Sequence, residues 1–298
     1  MKMFSGSAHP KLAKEIAGEL KTDLGKIKIS KFPNAEKRIY VLEEVKNESV
    51  FIIQSTITDE DVIELCLMTD AVKRKGAKKV IAVTPWFGYS PQDKVFRLGE
   101  PLSAKVMAQI LEVSGVDEIL MVDPHTSKIK GFFTIPVVIL SALKVFSFLF
   151  KKKIIKNHVV VALDLGDVER SLEFAGKLNL PLVLLQKTPR DRETGKVEFL
   201  GIKGKVTNKN VLIFDDYVST GQTLIKAATF LKKEEAKEIT ACVSHCFSIE
   251  GLPEKLEKSL IDKFFVTNTL PIERESKFSK LKIVSIASWI AKAMEEMI

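Results

Sequence analysis

The sequence is poor in cysteine, in arginine and in long hydrophobic runs. Its 298 residues contain three cysteines and only seven arginines. So few cysteines, in an odd number, exclude a disulfide-scaffolded secreted domain and favour a reducing compartment. The longest apolar stretch, 139–150, is interrupted by Ser141, Lys144 and Ser147 and is too short to span a bilayer. We therefore expect no membrane-spanning segment.

The first ten residues lack a basic region followed by an apolar core, so the sequence predicts no secretory signal. We expect a cytoplasmic protein with no membrane partner. Hydrophobic residues make up 46% and charged residues 28% of the chain, which is globular composition and excludes collagen-like and disordered classes. At roughly 150 residues per domain, the length predicts two domains.

The formal net charge of +8 is open to two interpretations. An excess of basic over acidic residues is typical of nucleic-acid-binding proteins. Here, however, the 39 lysines are spread over most segments and form no single stripe. Diffuse positive charge favours small anionic substrates such as phosphates, and we expect no nucleic-acid partner. A lysine-rich composition with five glutamines also fits adaptation to heat.

Cys242, His245 and Cys246 stand close enough in sequence to suggest a metal site. They lie, however, in an alternating apolar run, 239–247, that predicts a strand, and no second pair of Cys or His follows. We interpret these residues as structural.

Short apolar runs rich in β-branched residues recur along the chain, and each predicts a strand buried on both faces. They lie at 50–53, 80–83, 119–122, 159–163 and 211–214. Segments 61–75 and 103–114 between them have the apolar spacing of helices. This alternation predicts an α/β fold of mainly parallel sheets flanked by helices.

Ligands of such folds bind beyond the carboxyl ends of the strands, so the residues that follow each run are informative. Polar and acidic groups cluster among these residues in both halves of the chain, which suggests that one architecture occurs twice. They occupy 54–56, 84–89, 123–126, 164–167 and 215–221.

The sharpest pattern follows the run at 211–214. Asp215 and Asp216 come first, and a loop of Ser, Thr and Gly then opens a helix-like segment at 224–231. Free backbone N–H groups and hydroxyls at a helix start cradle phosphate, whereas two carboxylates suit sugar hydroxyls. An aspartate capping an ordinary helix would explain one carboxylate but not both. The loop predicts a phosphorylated sugar held by Asp215, Asp216, Ser219, Thr220, Gly221, Gln222 and Thr223.

This loop resembles the phosphoribosyl-pyrophosphate loop of the type I phosphoribosyltransferases and their relatives. Along nearly its whole length the chain resembles one group of those relatives, the ribose-phosphate pyrophosphokinases. The resembling segments are 51–56, 85–89 with Gln92 and Asp93, 100–105, 123–125 and 129–133. The resemblance implies two phosphoribosyltransferase-like lobes, 1–140 and 141–285, with a C-terminal helix at 286–298 joining the first.

The resemblance also implies an activity: transfer of the pyrophosphoryl group of ATP to the C1 hydroxyl of ribose 5-phosphate, giving phosphoribosyl pyrophosphate and AMP. Such a transfer requires Mg²⁺ and cations at the phosphates. By the same resemblance we expect a homo-oligomer, with Lys187 and Arg190 catalytic and with His125 and Asp164 linked to the metal. The ATP site is then expected at Phe32, Asn34, Ala35, Glu36, Gln92, Asp93, Lys94, Arg97 and His125.

The chain departs from the family pattern at several of these positions. Asn34 replaces an aspartate, and Pro91 replaces an arginine before Gln-Asp, so that Lys94 or Arg97 would have to supply the missing cation. Pro189 stands at a cationic position of the catalytic segment. Gln222 replaces a glycine, which requires a negative φ or a side chain directed to solvent. A weakened or regulatory paralogue is therefore an alternative, and a phosphoribosyltransferase is another.

Overall fold

The computed structural model describes residues 1–151, 157–188, 198–273 and 277–298. The chain divides into two compact units. The first unit comprises Met1–Ser141, Thr269–Pro271 and Ser285–Ile298, and the second comprises Ala142–Asn268 and Ile272–Val284. Over the described ranges, no helix is long and apolar enough to cross a membrane.

The first unit is built on a five-stranded, fully parallel sheet in the order β1-β4-β5-β6-β7. Its strands are β1 (Lys2–Ser5), β4 (Ser49–Ile53), β5 (Lys79–Thr84), β6 (Glu118–Val122) and β7 (Val137–Leu140). Its helices are α1 (Pro10–Glu19), α2 (Asp59–Arg74), α3 (Ser103–Val113), a 3₁₀ helix (Ser127–Phe132) and α8 (Ala287–Glu296). The predicted strands and both predicted helices of this half are confirmed.

A separate antiparallel hairpin, β2 (Ile27–Lys31) and β3 (Lys37–Val41), belongs to the same unit. Lys31 and Lys37 face each other across its closed end. Residues Phe32 and Glu36 bound the turn, where the Phe32 N–H donates to the Glu36 carbonyl at 2.8 Å. The hairpin forms its own two-stranded sheet.

The second unit is built on a seven-stranded sheet in the order β10-β9-β8-β11-β12-β13-β14, parallel except for β10. Its strands are β8 (His158–Ala162), β9 (Leu182–Lys187), β10 (Phe199–Lys203), β11 (Asn210–Val218), β12 (Glu238–Cys246), β13 (Lys263–Thr267) and β14 (Leu281–Val284). Its helices are α4 (Ala142–Lys151), α5 (Val168–Leu178), α6 (Gln222–Lys233) and α7 (Leu252–Lys258). The predicted α/β class with parallel sheets is confirmed.

Burial on both faces of the second sheet explains its continuous apolar runs. On one face, the ring of Phe214 packs against Phe146 and Phe174 at centroid distances of 6.1 and 5.8 Å. On the other face, Val211 and Ile213 belong to a separate buried cluster that includes residues of α6. Because strands β9, β8 and β11 are neighbours, the residues at their carboxyl ends share one edge of the sheet.

The segment with two cysteines and a histidine forms β12, as the alternating pattern predicts. All three cysteines are free thiols. Across the described part of the chain, no group of three or more His, Cys, Asp or Glu residues is arranged to hold a metal ion.

Candidate functional site

Asp164 and Lys187 form an ion pair between Oδ2 and Nζ at the carboxyl edge of the second sheet. Asp164 follows β8 and Lys187 ends β9, and these strands are parallel neighbours. The other carboxylate oxygen of Asp164, Oδ1, accepts a hydrogen bond from the Asp167 N–H at 3.0 Å. Burial disfavours the charged carboxylate, but the hydrogen bond and charge of Lys187 outweigh it and lower the pKa of Asp164. Asp164 therefore stays ionised.

Asp215 and Asp216 lie near the end of β11, one strand across from β8. Asp216 is 3% exposed, and its Oδ2 lies 3.2 Å from Nη1 of Arg170. The Asp216 N–H donates to Oδ1 of Asp215 at 3.0 Å, and the Tyr217 N–H donates to Oδ1 of Asp216 at 3.0 Å. Burial, and then the charges of Asp216 and Asp167, raise the pKa of Asp215 well above its ordinary value.

Arg170 and Asp167 belong to this site although sequence reasoning did not single them out. Arg170 lies in the first turn of α5 and also reaches Oδ1 of Asp167 at 3.3 Å through Nη2. Burial, followed by the charge of Asp164, raises the pKa of Asp167 to about 6. Asp164, Asp167 and Arg170 are spaced three residues apart in the sequence. This spacing does not show that Arg170 forms an ion pair with Asp216, which lies in β11.

The phosphate-type loop opens α6 through Gly221, whose φ is +71°. A Cβ there would lie 2.8 Å from Cδ1 of Leu252, so both the backbone angle and the available space favour glycine. Ser219 and Thr223 are half-buried and Thr220 is exposed. Ser219 and Thr220 precede α6, and Thr223 is its second residue.

Gln222 is the first residue of α6, is absent from the positive-φ residues, and has an exposed side chain. It meets both conditions under which a side chain replaces glycine at that position. The backbone at Gln222 therefore needs no glycine, and its side chain is exposed.

A groove of about 620 Å³ lies beside the ion pair, lined by Asp164, Gly166, Lys187 and several leucines. A larger hollow of about 800 Å³ lies at the amino end of β1 and is lined by Lys2, Lys14 and other residues. The smaller groove lies at the carboxyl edge of the parallel strands, which is where ligands of such folds bind.

In the first unit, the turn between β2 and β3 carries four of the residues expected to bind ATP: Phe32, Asn34, Ala35 and Glu36. Phe32 is 44% exposed, and the guanidinium carbon of Arg38 lies 5.4 Å from its ring centroid. Oδ1 of Asn34 accepts from the Glu36 N–H at 3.3 Å, and Ala35 has a φ of +69°. The Asn34 side chain therefore shapes the turn. Arg38 is a further neighbour of Phe32 that the sequence pattern did not reveal.

The other residues expected at ATP lie in two loops of the first unit. Oε1 of Gln92 accepts from Ser103 Oγ at 2.6 Å, which ties this loop to the start of α3. Lys94 is exposed with its Nζ 5.0 Å from the Phe96 ring centroid, Arg97 is exposed, and Asp93 is half-buried.

His125 follows the carboxyl end of β6 and is partly exposed. Asp123, two residues earlier, is buried at a φ of +32°. Of the two expected catalytic cations, Lys187 lies at the sheet edge described above, whereas Arg190, like Pro189, lies outside the described residues.

Comparison with known proteins gives concordant results over the chain. Residues 1–115 match the family model of the N-terminal domain of ribose phosphate pyrophosphokinase, and residues 194–298 match that of the phosphoribosyl synthetase-associated domain. The chain is 36% identical to a ribose-phosphate pyrophosphokinase of Wolinella succinogenes, over 99% of this chain and 95% of that protein. It is 35% identical to one of Aquifex aeolicus, over 100% of this chain and 96% of that protein.

Among solved structures, the phosphoribosylpyrophosphate synthetase of Mycobacterium smegmatis matches with a TM-score of 0.91 at 30% identity. The match covers 99% of this chain and 98% of that one. The similarity therefore extends over both units.

Proposed function

The chain belongs to the ribose-phosphate pyrophosphokinase family, and on that premise we propose which of its residues perform the family's reaction. The protein transfers the pyrophosphoryl group of ATP to the C1 hydroxyl of ribose 5-phosphate. The C1 hydroxyl gives up its proton, which is released to solvent, as its oxygen bonds to the β-phosphorus of ATP; the bond from that phosphorus to the α–β bridging oxygen breaks, and AMP leaves. The products are phosphoribosyl pyrophosphate and AMP.

Ribose 5-phosphate is held by the second unit in this proposal. The supporting observation is that Asp215 and Asp216 lie near the end of β11, a few residues before Gly221, whose left-handed backbone opens α6. The carboxylates of Asp215 and Asp216 accept hydrogen bonds from ribose hydroxyls, while N–H groups at the start of α6 and the nearby hydroxyls hold the 5-phosphate. Arg170 keeps the Asp216 carboxylate oriented.

Lys187 stabilises the negative charge that develops on the transferred group. Asp164 forms an ion pair with this ammonium and so positions it at the carboxyl end of β9. Arg190 is proposed as a second cation by family resemblance alone, since it lies outside the described residues.

ATP is held by residues of the first unit. The exposed face of Phe32 suits stacking on adenine, and the polar groups of Asn34 and Glu36 suit its hydrogen-bonding edge. Ala35, Gln92, Asp93, Lys94, Arg97 and His125 complete the proposed set. Lys94 and Arg97 are exposed cations that can compensate for Pro91 at the phosphates.

Mg²⁺ fits the donor chemistry of Asp164, a hard carboxylate oxygen that stays ionised. Mg²⁺ commonly takes only one or two protein ligands and completes its shell with water and phosphate oxygens. When bound, the ion neutralises phosphate charge. Asp164 and His125 are the residues proposed to position it, His125 through water or toward ATP.

A homo-oligomer and a cytoplasmic location complete the proposal. The three free cysteines support a reducing compartment. Gel filtration coupled to light scattering measures the oligomeric state directly.

An AMP-release assay with ATP, Mg²⁺ and ribose 5-phosphate tests the reaction. We expect AMP and phosphoribosyl pyrophosphate to form in equal amounts, and to form only when all three components are present. Consumption of phosphoribosyl pyrophosphate together with a nucleobase would instead identify a phosphoribosyltransferase. Ligand binding without turnover would identify a regulatory paralogue.

A further inference from the structure

Glu64 is a carboxylate of the first unit that is completely enclosed by protein. It lies in α2, and its two oxygens accept hydrogen bonds from the backbone N–H and the hydroxyl of Ser7, from Gln54 and from Lys37. The distances are 2.6 Å to Ser7 N, 2.7 Å to Ser7 Oγ, 3.0 Å to Gln54 Nε2 and 2.5 Å to Lys37 Nζ. A single side chain therefore connects α2 with three other segments.

A buried carboxylate is retained only when its charge is paired and its oxygens are hydrogen-bonded. Lys37 provides the opposite charge, and its side chain is 13% exposed. Burial by itself lowers the pKa of Lys37, but the hydrogen bond and charge of Glu64 outweigh it, so the pKa lies above its ordinary value. Lys37 is therefore charged at neutral pH.

Lys37 is the first residue of β3 and directly follows Glu36. It is the cross-strand partner of Lys31, so the pair Lys31–Lys37 closes the turn expected to bind adenine. An isolated two-stranded hairpin is only marginally stable. The ion pair between Lys37 and Glu64 thus attaches the base of this turn to α2.

We propose that Glu64 is a positioning residue for ATP, which acts through Lys37 to hold the turn 32–36 in its binding orientation. The proposal rests on the proposed function, because it takes Phe32, Asn34 and Glu36 as part of the ATP site. Glu64 itself touches no substrate. Its effect is geometric, and small displacements of substrate-binding groups can cost as much as a hundredfold in activity.

The test is the double variant Lys37→Met/Glu64→Gln, in which no charge is left buried and the amide introduced at position 64 keeps an oxygen acceptor for its neighbours. We expect its KM for ATP to rise about tenfold, while its KM for ribose 5-phosphate and its kcat stay within about twofold. The single variant Glu64→Gln, a near-isosteric change, is measured in parallel and should move KM for ATP in the same direction if the double variant does not fold.

Lys31→Met is the matched control. It removes the cross-strand partner of Lys37, and the ion pair that Lys31 itself forms with Glu60, at 2.9 Å, is exposed to solvent. We expect KM for ATP to stay within about twofold in this variant. Lys37→Arg, which keeps the charge, should retain most of the affinity for ATP.

Two results would overturn the proposal, and they are distinguishable. Phe32→Ala measures whether the turn binds ATP: an unchanged KM for ATP would reject the proposed ATP site and the role of Glu64 with it. A raised KM in Phe32→Ala, together with an unchanged KM in a folded Lys37→Met/Glu64→Gln variant, would reject the role of Glu64 alone. Thermal unfolding of each variant shows whether it is folded at the assay temperature.

Discussion

Asp164 and Lys187 are 23 positions apart in the sequence and meet as an ion pair because β8 and β9 are adjacent parallel strands. Each residue stands at the carboxyl end of its strand, where side chains of separate strands converge. The pair lowers the pKa of Asp164 against the effect of burial. It thereby joins the proposed metal-linked carboxylate to the proposed catalytic cation.

Lys187→Ala should lower kcat by about 10²–10³, because loss of one preorganised charge partner in a transition state typically costs that much. KM for both substrates should stay within a few fold. Steady-state AMP release measures both constants. Lys177→Ala, which removes a lysine that pairs with Glu173 on α5, is the control and should behave like the unmodified protein. A raised KM with kcat intact would make Lys187 a binding residue only.

Asp215→Asn and Asp216→Asn should each weaken binding of ribose 5-phosphate by about tenfold or more, since hydrogen bonds to charged groups contribute about 1.5–3 kcal/mol. ATP affinity should change little. Isothermal titration with each substrate separates the two effects. The exposed aspartate Asp70, changed to Asn, serves as the control. Loss of ATP binding with unchanged sugar affinity would reverse the assignment of the two units.

Arg170→Gln should destabilise the protein by about 1–3 kcal/mol, because it removes the cation shared by Asp167 and Asp216. Urea unfolding measures the loss. Arg74→Gln breaks an exposed pair with Asp70 and should leave the unfolding midpoint unchanged. If both variants unfold at the same urea concentration, the bridge from Arg170 contributes no more than a surface pair.

Pro91→Arg should change KM for ATP by less than about threefold, because the exposed cations Lys94 and Arg97 are available to contact phosphate. Arg97→Ala should raise KM for ATP about tenfold, with Arg74→Ala as the exposed-arginine control. The initial rate as a function of ATP concentration provides these values. A tenfold fall in KM for Pro91→Arg would show that nothing compensates for the proline.

The Lys37–Glu64 pair should stabilise the fold at neutral pH and stop doing so in alkali. The pKa of Lys37 lies above 10.5 in the folded chain, so the folded state binds this proton more tightly than the unfolded state does. Its contribution is present below pH 10.5 and is lost as the pH rises through the folded-state pKa. Urea unfolding of the unmodified protein and of Lys37→Met should therefore differ at about pH 8 and converge as the pH rises through the folded-state pKa of Lys37. A difference that stays constant with pH would contradict this assignment.

The local sequence pattern was sufficient to predict the positions of many strands and helices. Runs of β-branched residues located β4, β5, β6, β8 and β11, because strands buried on both faces need continuous apolar sequence. The loop from Asp215 to Thr223 was recognisable for a similar reason, since carboxylates, hydroxyls and a glycine at a strand-to-helix junction are all contiguous in sequence.

Contacts between distant segments depended on the tertiary structure. The strand order β9-β8-β11 brings Asp164, Lys187 and Asp216 to one edge, and α5 delivers Arg170 between Asp167 and Asp216. The hydrogen bonds of Glu64 with Ser7, Gln54 and Lys37 likewise join separate segments of the chain. Sequence by itself determined which segments become strands, helices and loops, because those choices depend on near neighbours along the chain. Only the packing of the strands and helices decided which charges meet, because an ion pair depends on distance in space and on burial, neither of which a local pattern contains.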